Sequence, residues 1–178
     1  MPRLVCMEDK PAKPGYAALR KYRGSRPQAE YFLTVNLRHR GNGLESVRCA
    51  DAVRAEWDNL EKGGLWLGRT AVVMPDHIHL LIRLGESAHL SECLRLFKGR
   101  LSGFLRSAGL QWQAGFFEHQ LREVDDLHQV FFYISLNPYR AGLINADQSW
   151  PGYYCTAEDW SWFGKLTNES MPPPEWLK

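Results

Sequence analysis

The elements that this sequence predicts follow the order β-α-β-β-α-β-α, which indicates an α+β fold built on one antiparallel sheet. Strand-like alternation and helix-like periodicity succeed one another along the chain. Two predicted strands, 65–74 and 77–85, are joined only by Pro75-Asp76, a link short enough to require a hairpin. Helical segments on both sides of such a hairpin are typical of the ferredoxin-like split βαβ arrangement. We therefore expect the helices on one face of the sheet and an open second face.

The first elements follow a basic segment. Residues 1–28 contain many Pro, Gly, Lys and Arg residues and predict an arm with little regular structure. The alternating stretch 31–40 predicts a strand. Residues 44–62 carry apolar side chains at helical spacing and end at Gly63-Gly64, a natural helix stop.

The second half of the chain continues the pattern. Residues 89–109 predict a second helix, 115–123 a fourth strand, and 126–136 a third helix that continues or restarts through NPYRAGLI. The remainder is rich in Trp, Pro and acidic residues and predicts an irregular tail that packs back on the body. The predicted boundaries are an N-terminal arm at 1–28, a central domain at 29–145 and a C-terminal tail at 146–178.

Length and composition restrict the class of protein. A chain of 178 residues suits one domain, and its 44% hydrophobic and 24% charged content is that of a globular protein. It contains no apolar run of about 18 residues that would predict a membrane span, and its first residues lack the apolar region of a signal peptide. Four scattered cysteines without a CxxC pair predict reduced thiols in a cytoplasm.

The net charge of +2 conceals an asymmetry. Residues 1–122 carry 19 Lys and Arg against 12 Asp and Glu, whereas residues 123–178 carry 3 against 8. A basic body with an acidic tail is compatible with a polyanionic partner that the tail does not contact. The same pattern also occurs on ordinary solvated surfaces, so it does not by itself identify nucleic acid as the partner.

Two histidines one residue apart, His77 and His79, interrupt the apolar run VVMPDHIHLLIRL. Alternation places Ile78, Leu80 and Ile82 on the core face of the strand and both histidines on the opposite face. Imidazoles about 6.5–7 Å apart along a strand can turn their ring nitrogens toward one divalent cation. A pair of exposed histidines on an open sheet face would give the same pattern.

Tyr133 and Asn137 are four residues apart and share one face of a continuous helix. A phenol and a carboxamide on one face can supply a nucleophile and a metal-binding oxygen. Each residue also has a structural interpretation. Tyr133 can be one more aromatic residue of a core helix, and Asn137, directly before Pro138, is placed as an N-cap at which the helix kinks.

Three motifs in this order, MPDHIHLLI, GFFEHQLR and YISLNPYRAGL, resemble the REP-associated tyrosine transposases, a branch of the single-tyrosine HUH transposases. HUH denotes His-hydrophobic-His, here His77-Ile78-His79. The family's catalytic tyrosine lies in a Tyr-Ile-x-x-Asn-Pro context, which here begins at Tyr133. The resemblance extends from about Tyr31 to the region of Trp150.

The resemblance implies a catalytic domain that cleaves and rejoins single-stranded DNA at hairpins of repetitive extragenic palindromes. By carry-over of the motifs, His77, His79 and Asn137 would bind Mg²⁺ or Mn²⁺, and Tyr133 would form a 5′-phosphotyrosine. It further implies a ferredoxin-like sheet with the histidines on its open face, a cytoplasmic, nucleoid-associated protein with no membrane partner, and a monomer, although related insertion-sequence transposases are dimers.

Further residues are candidates for supporting roles. Glu118-His119 matches a Glu-His pair of the family and either supports the metal site or forms a structural polar pair. Asp76 is either a partner of a histidine or a turn residue. Basic side chains suit phosphate contacts. The candidate DNA-binding residues are Arg20, Lys21, Arg23, Arg26, Arg38, Arg40, Arg95 and Lys98.

Two other functions compete with a DNA-cleaving enzyme. A DNA-binding regulator at palindromic repeats would use the basic surface without cleavage, but it would not need His77, His79, Tyr133 and Asn137 together. An unrelated metallohydrolase would use the histidine pair with further carboxylate or histidine ligands, and the sequence contains no HExxH motif.

Overall fold

The computed structural model describes residues 24–38, 42–122 and 127–168. The described helices and strands, in chain order, are β1 (Glu30–Asn36), α1 (Val47–Lys62), β2 (Trp66–Val73), β3 (His77–Leu84), α2 (Leu90–Ser107), β4 (Phe117–Gln120), α3 (Leu127–Arg140), β5 (Tyr153–Cys155) and α4 (Ala157–Asn168). The predicted order β-α-β-β-α-β-α is confirmed for the first seven of these elements.

The five strands form one antiparallel sheet in the order β4-β1-β3-β2-β5. Strand β3 lies at the centre and pairs with β1 on one side and β2 on the other. Because β3 separates β1 from β2, helix α1 crosses over a strand that comes later in the chain, as the split βαβ arrangement requires. The α+β, ferredoxin-like prediction is confirmed, and β5 extends the sheet by one strand.

Helices α1 and α2 cover one face of the sheet and enclose its larger core. Leu33, Leu80 and Phe97 are completely buried there, and each such side chain contributes roughly 1.5–3 kcal/mol of transfer free energy. The Ser46 hydroxyl caps α1 by accepting a hydrogen bond from the Cys49 N–H at 3.4 Å. These helices are the ones that the sequence predicted on a single face.

A glycine on β2 permits the close approach of α1. A Cβ atom at Gly68 would lie 2.0 Å from Cζ2 of Trp57, well inside van der Waals contact. Trp57 is buried between Gly68 and the ring of Trp66, so it has no free volume into which to move.

We therefore expect Gly68→Ala to lower the free energy of unfolding by about 1–3 kcal/mol through overpacking. Gly99→Ala is the matched control, because no atom lies within 4 Å of a Cβ at this exposed position of α2. That change should raise stability by about 0.8–1 kcal/mol, since Ala favours a helix over Gly. Urea denaturation of both variants measures the difference; equal stabilities would contradict the packing argument.

The second face of the sheet is not left open along its whole length. Phe131 and Ile134 of α3 and Phe163 of α4 are buried against Val72, Met74 and Leu81. The prediction of helices on one face therefore holds for α1 and α2 but not for α3 and α4. The physical reason lies in the run Ala71–Met74, whose side chains are buried on both faces and thus require cover on both.

Residues 146–168 include a strand and a helix, contrary to the prediction of an irregular tail. They form β5 and α4 and complete the same sheet. Strand β5 joins the edge of β2, where the Thr70 hydroxyl also donates a hydrogen bond to the Tyr154 carbonyl at 2.8 Å. Phe163 of α4 is completely buried in the second core cluster. A three-residue strand carries too little alternation to be predicted from sequence.

A buried ionic network attaches α4 to the sheet. Arg69 pairs with Asp159 of α4 and, at 2.5 Å, with Glu30 of β1. The indole N–H of Trp162 donates a further hydrogen bond to Asp159 at 3.2 Å. Burial alone raises the pKa of Asp159, but the hydrogen bonds and charge of Arg69 outweigh it and leave that pKa below its ordinary value.

We expect Asp159→Asn to lower the free energy of unfolding by about 3 kcal/mol at neutral pH, because it removes one partner of a buried pair. A depressed carboxyl pKa stabilises the fold fully above the unfolded-state value of about 3.9. This contribution is lost as pH falls through the lower folded-state value. The difference in free energy of unfolding between wild type and Asp159→Asn should therefore become smaller in acid. Thermal unfolding at several pH values measures this difference, and Asp147→Asn, which changes an exposed carboxylate, is the control. A difference that does not change with pH would contradict the role assigned to the Asp159 carboxylate.

None of the helices within the described ranges is long and apolar enough to cross a membrane. The three cysteines that the structure describes, Cys49, Cys93 and Cys155, are free thiols, as the scattered spacing predicted.

Candidate active site

The two histidines lie at the start of central strand β3 with their Nε2 atoms 3.1 Å apart. The Nδ1 atom of each ring has a partner that fixes the ring orientation. His77 Nδ1 lies 2.6 Å from Asp76 Oδ1, and His79 Nδ1 lies 2.9 Å from the hydroxyl of Thr34. With both Nδ1 atoms engaged, the two Nε2 atoms are directed toward a common point.

This arrangement fits a divalent cation. Two nitrogen ligands about 2.1 Å from one ion and roughly at right angles to each other lie about 3.0 Å apart. The observed separation of 3.1 Å agrees with that value. Metal binding requires a lone pair on both Nε2 atoms and therefore a proton on both Nδ1 atoms. Asp76 can accept a hydrogen bond from the Nδ1–H of His77, and the Thr34 hydroxyl, which both donates and accepts, allows that tautomer at His79.

The electrostatics of the pair favour its metal-binding form. His79 is 5% exposed. Burial first, and then the proximity of His77, lower the pKa of His79 to about 3. The ring is therefore neutral at physiological pH, which is the state that binds a metal. Within the described residues no group of three or more His, Cys, Asp and Glu side chains is suited to a metal ion, so the carboxylate-rich site of the metallohydrolase alternative does not form there.

Helix α3 places Tyr133 beside the histidine pair. The Tyr133 ring lies 5.2 Å from the His79 ring, although the two residues are 54 positions apart in sequence. Phe32 of β1 contacts both: it stacks on His79 at 5.3 Å and 27° and meets Tyr133 edge-to-face at 5.6 Å and 90°. The Arg140 guanidinium lies 5.5 Å from the centre of the Tyr133 ring. Tyr139 instead donates its hydroxyl proton to the Gln148 carbonyl at 2.6 Å.

Asn137 lies one turn beyond Tyr133, inside α3. Its Nδ2 donates a hydrogen bond to the Tyr133 carbonyl at 3.2 Å, which does not use the Oδ1 oxygen, the atom type that Mg²⁺ prefers. The interpretation of Asn137 as an N-cap is wrong, because α3 continues through Pro138 to Arg140. Pro138 removes one backbone N–H from this turn, and the helix ends shortly afterwards at Gly142, with φ of +67°.

The register of β4 separates the two residues of the Glu118-His119 motif. His119 lies opposite Phe32 and therefore on the face of the histidine pair, whereas Glu118 lies opposite Leu33 and on the face covered by α1 and α2. The structure thus brings His119, but not Glu118, to the sheet face of the candidate site. A one-residue difference in a strand reverses the face, and the sequence predicted the strand without its register.

The basic candidates divide by position. Arg95 and Lys98 belong to α2, on the opposite face of the sheet from the histidines, and Lys98 donates to the carbonyls of Gln113 and Gly115 at 2.6 and 2.7 Å. Arg26 and Arg38 are exposed at opposite ends of β1. The other four, Arg20, Lys21, Arg23 and Arg40, lie outside the described residues.

Three residues of this site were not predicted from the sequence: Phe32, Thr34 and Arg140. The alternation of β1 places Phe32 and Thr34 on one face, but the pairing of Thr34 with His79 depends on strand order. Arg140, seven residues after Tyr133, shares its helical face and was available from spacing alone.

Removal of the Thr34 hydroxyl should weaken metal binding while leaving the fold intact. We expect Thr34→Val, nearly the same shape, to lower the affinity for Mn²⁺ by about 10- to 100-fold, since an unsupported histidine loses its orientation. Thr34→Ser keeps the hydroxyl and should retain the wild-type affinity. Calorimetric titration with Mn²⁺ measures both, and equal affinities for all three proteins would contradict the role of Thr34.

Comparison with known proteins adds independent findings. The chain is 30% identical over 129 residues to a protein of Escherichia coli K12 described as a REP-associated tyrosine transposase, which covers 68% of this chain and 73% of that relative. It is 30% identical over 121 residues to a Haemophilus influenzae protein of the same description, covering 58% of this chain. The match spans 62% of the length of that second relative. No family model matches the chain.

A solved structure is also similar. It is that of a REP-associated tyrosine transposase bound to a REP hairpin, with a TM-score of 0.59 and 28% sequence identity, covering 70% of this chain and 75% of the other.

Proposed function

The chain belongs to the REP-associated tyrosine transposase family, and on that premise we propose that it is a metal-dependent enzyme that nicks and rejoins single-stranded DNA at REP-type hairpins through a 5′-phosphotyrosine intermediate. The solved relative was bound to a REP hairpin, and a hairpin with a single-stranded foot is the substrate class proposed for this chain. The proposal includes Mg²⁺ or Mn²⁺ as cofactor, a monomeric state and a cytoplasmic, nucleoid-associated location.

One observation carries the proposal: the Tyr133 ring lies 5.2 Å from His79, whose Nε2 converges with that of His77. A nucleophile beside two imidazoles whose Nε2 atoms converge is an arrangement suited to a metal-assisted phosphoryl transfer. The two parts come from different elements, α3 and β3, so no local sequence constraint accounts for their proximity.

In the proposed reaction, the Tyr133 oxygen attacks the phosphorus of the scissile phosphodiester. A new bond forms between this oxygen and phosphorus as the phenol loses its proton, and the bond from phosphorus to the 3′-oxygen breaks. The leaving oxygen takes up one proton in exchange for the one released by Tyr133 and becomes a 3′-OH. A divalent cation held by His77, His79 and Asn137 would act as a Lewis acid toward the phosphate. Arg140, next to the Tyr133 ring, places positive charge where phosphate would bind.

The covalent intermediate explains how strand transfer proceeds without a nucleotide cofactor. The phosphotyrosine bond retains the energy of the original phosphodiester, so another 3′-OH can reverse the step and join a new strand. Phe32 has a positioning role in this scheme, because it contacts both the ring that binds the cation and the ring that attacks.

The test is incubation of the protein with a single-stranded REP-type hairpin oligonucleotide and Mg²⁺ or Mn²⁺. We expect a covalent protein–DNA adduct, visible as a shifted band on a denaturing gel. Tyr133→Phe should form no adduct, because it lacks only the attacking oxygen, whereas Tyr139→Phe, which removes a hydroxyl bound to Gln148, should still form it. An adduct with Tyr133→Phe would overturn the mechanism.

His77→Ala should abolish adduct formation and leave binding of the hairpin largely intact, since the imidazole would hold the cation that acts on the reacting phosphate. Gel-shift and adduct assays on the same preparation separate the two effects. If wild type binds the hairpin and forms no adduct with either metal, the protein is instead a DNA-binding regulator at palindromic repeats.

A further inference from the structure

Phe117 lies on the histidine face of the sheet, on the edge strand β4. The register places Phe117 opposite Thr34 of β1, and Thr34 opposite His79 of β3, so the three residues form one row across the sheet. Two strand spacings, about 9.6 Å, separate Phe117 from His79 in this row. Phe117 is 48% exposed, although it is a large apolar residue.

The ring of Phe117 continues an aromatic cluster that begins at the candidate active site. Phe32 contacts His79, Tyr133 and Phe117, the last edge-to-face at 6.3 Å and 68°. Phe32 is half-buried and thus holds the ring of Phe117 from one side. A ring that is supported on one side and exposed on the other is the type of surface on which proteins stack unpaired bases.

We propose that Phe117 stacks on the base of a nucleotide next to the scissile phosphate. The inference rests on the proposed function, because Tyr133 and the histidine pair define where that phosphate binds. A single sugar joins a base to its phosphate. A base beside the reacting phosphate is therefore close enough to contact side chains of the neighbouring strands β1 and β4. Stacking requires an unpaired base, which agrees with a single-stranded substrate.

The surroundings favour a nucleotide over an apolar protein segment. Arg38 is exposed beyond the end of β1, four residues after Thr34, and its guanidinium donates a hydrogen bond to Gln111 Oε1 at 3.2 Å. Arg140 lies beside Tyr133. The positive charges of Arg38 and Arg140 suit the phosphates of a single strand whose base contacts the ring, whereas an apolar protein segment would not require them.

The test measures binding of a fluorescein-labelled, single-stranded oligodeoxythymidine by anisotropy, with every variant in the Tyr133→Phe background so that cleavage plays no part. Phe117→Ala should weaken binding by about 5- to 150-fold, the range that base–aromatic stacking contributes. Phe117→Trp keeps the aromatic surface and should retain affinity. Leu67→Ala is the matched control, since Leu67 is 44% exposed on the same face near the other end of the sheet, and it should leave binding unchanged.

A second oligonucleotide with abasic sites in place of the thymidines identifies the cause. Proteins with Phe117 and with Phe117→Ala should bind it equally, because no base remains to stack. Equal binding of the thymidine strand by both proteins, or loss of binding of the abasic strand on Phe117→Ala, would overturn the proposal. These outcomes are distinct from failure of the proposed function, which is absence of the covalent adduct with Tyr133 present.

Discussion

The antiparallel pairing of β1 with β3 is the constraint on which the candidate active site depends. It places Thr34 opposite His79 and Asn36 opposite His77, and it directs Ile78 and Leu80 into the core beneath α1 and α2. A slip of one residue would bury both histidines and expose the apolar residues. Because β3 has strand neighbours on both sides, its register is held by two ladders. The core that stabilises the fold therefore also sets the orientation of the two imidazoles.

The histidine face combines a polar site with a second hydrophobic core. Phe131 and Ile134 of α3 pack on Val72 and Leu81, and this packing places Tyr133 of the same helix beside His79. Helix α4 supports α3 through Phe163, which contacts Phe131 and Phe132 at ring distances of 5.3 and 5.1 Å. The network of Arg69, Glu30 and Asp159 in turn attaches α4 to the sheet. The segment predicted as an irregular tail is thus part of the scaffold that positions Tyr133.

The polar partners of the two histidines orient the imidazole rings as well as forming hydrogen bonds with them. Asp76 and Thr34 each engage one Nδ1 atom, and burial lowers the pKa of His79 to about 3. Together these effects orient the two imidazoles and keep His79 neutral. Phe32 joins the two halves of the site by contact with both His79 and Tyr133. Proximity of Tyr133 to the histidine pair is therefore a property of the fold itself.

The sequence by itself determined the order of the first seven elements, the face of His77 and His79, and the pairing of Tyr133 with Asn137 on one helix, because periods of 2.0 and 3.6 residues are local properties. Only the tertiary structure decided which strands are neighbours, and with them the proximity of Tyr133 to His79 and the support from Thr34. It also decided that Glu118 lies on the opposite face from His119, that Lys98 binds backbone carbonyls, and that α3 continues through Asn137. Those outcomes depend on strand register and on packing between distant segments. The local periodicity of one strand or helix carries no information about either.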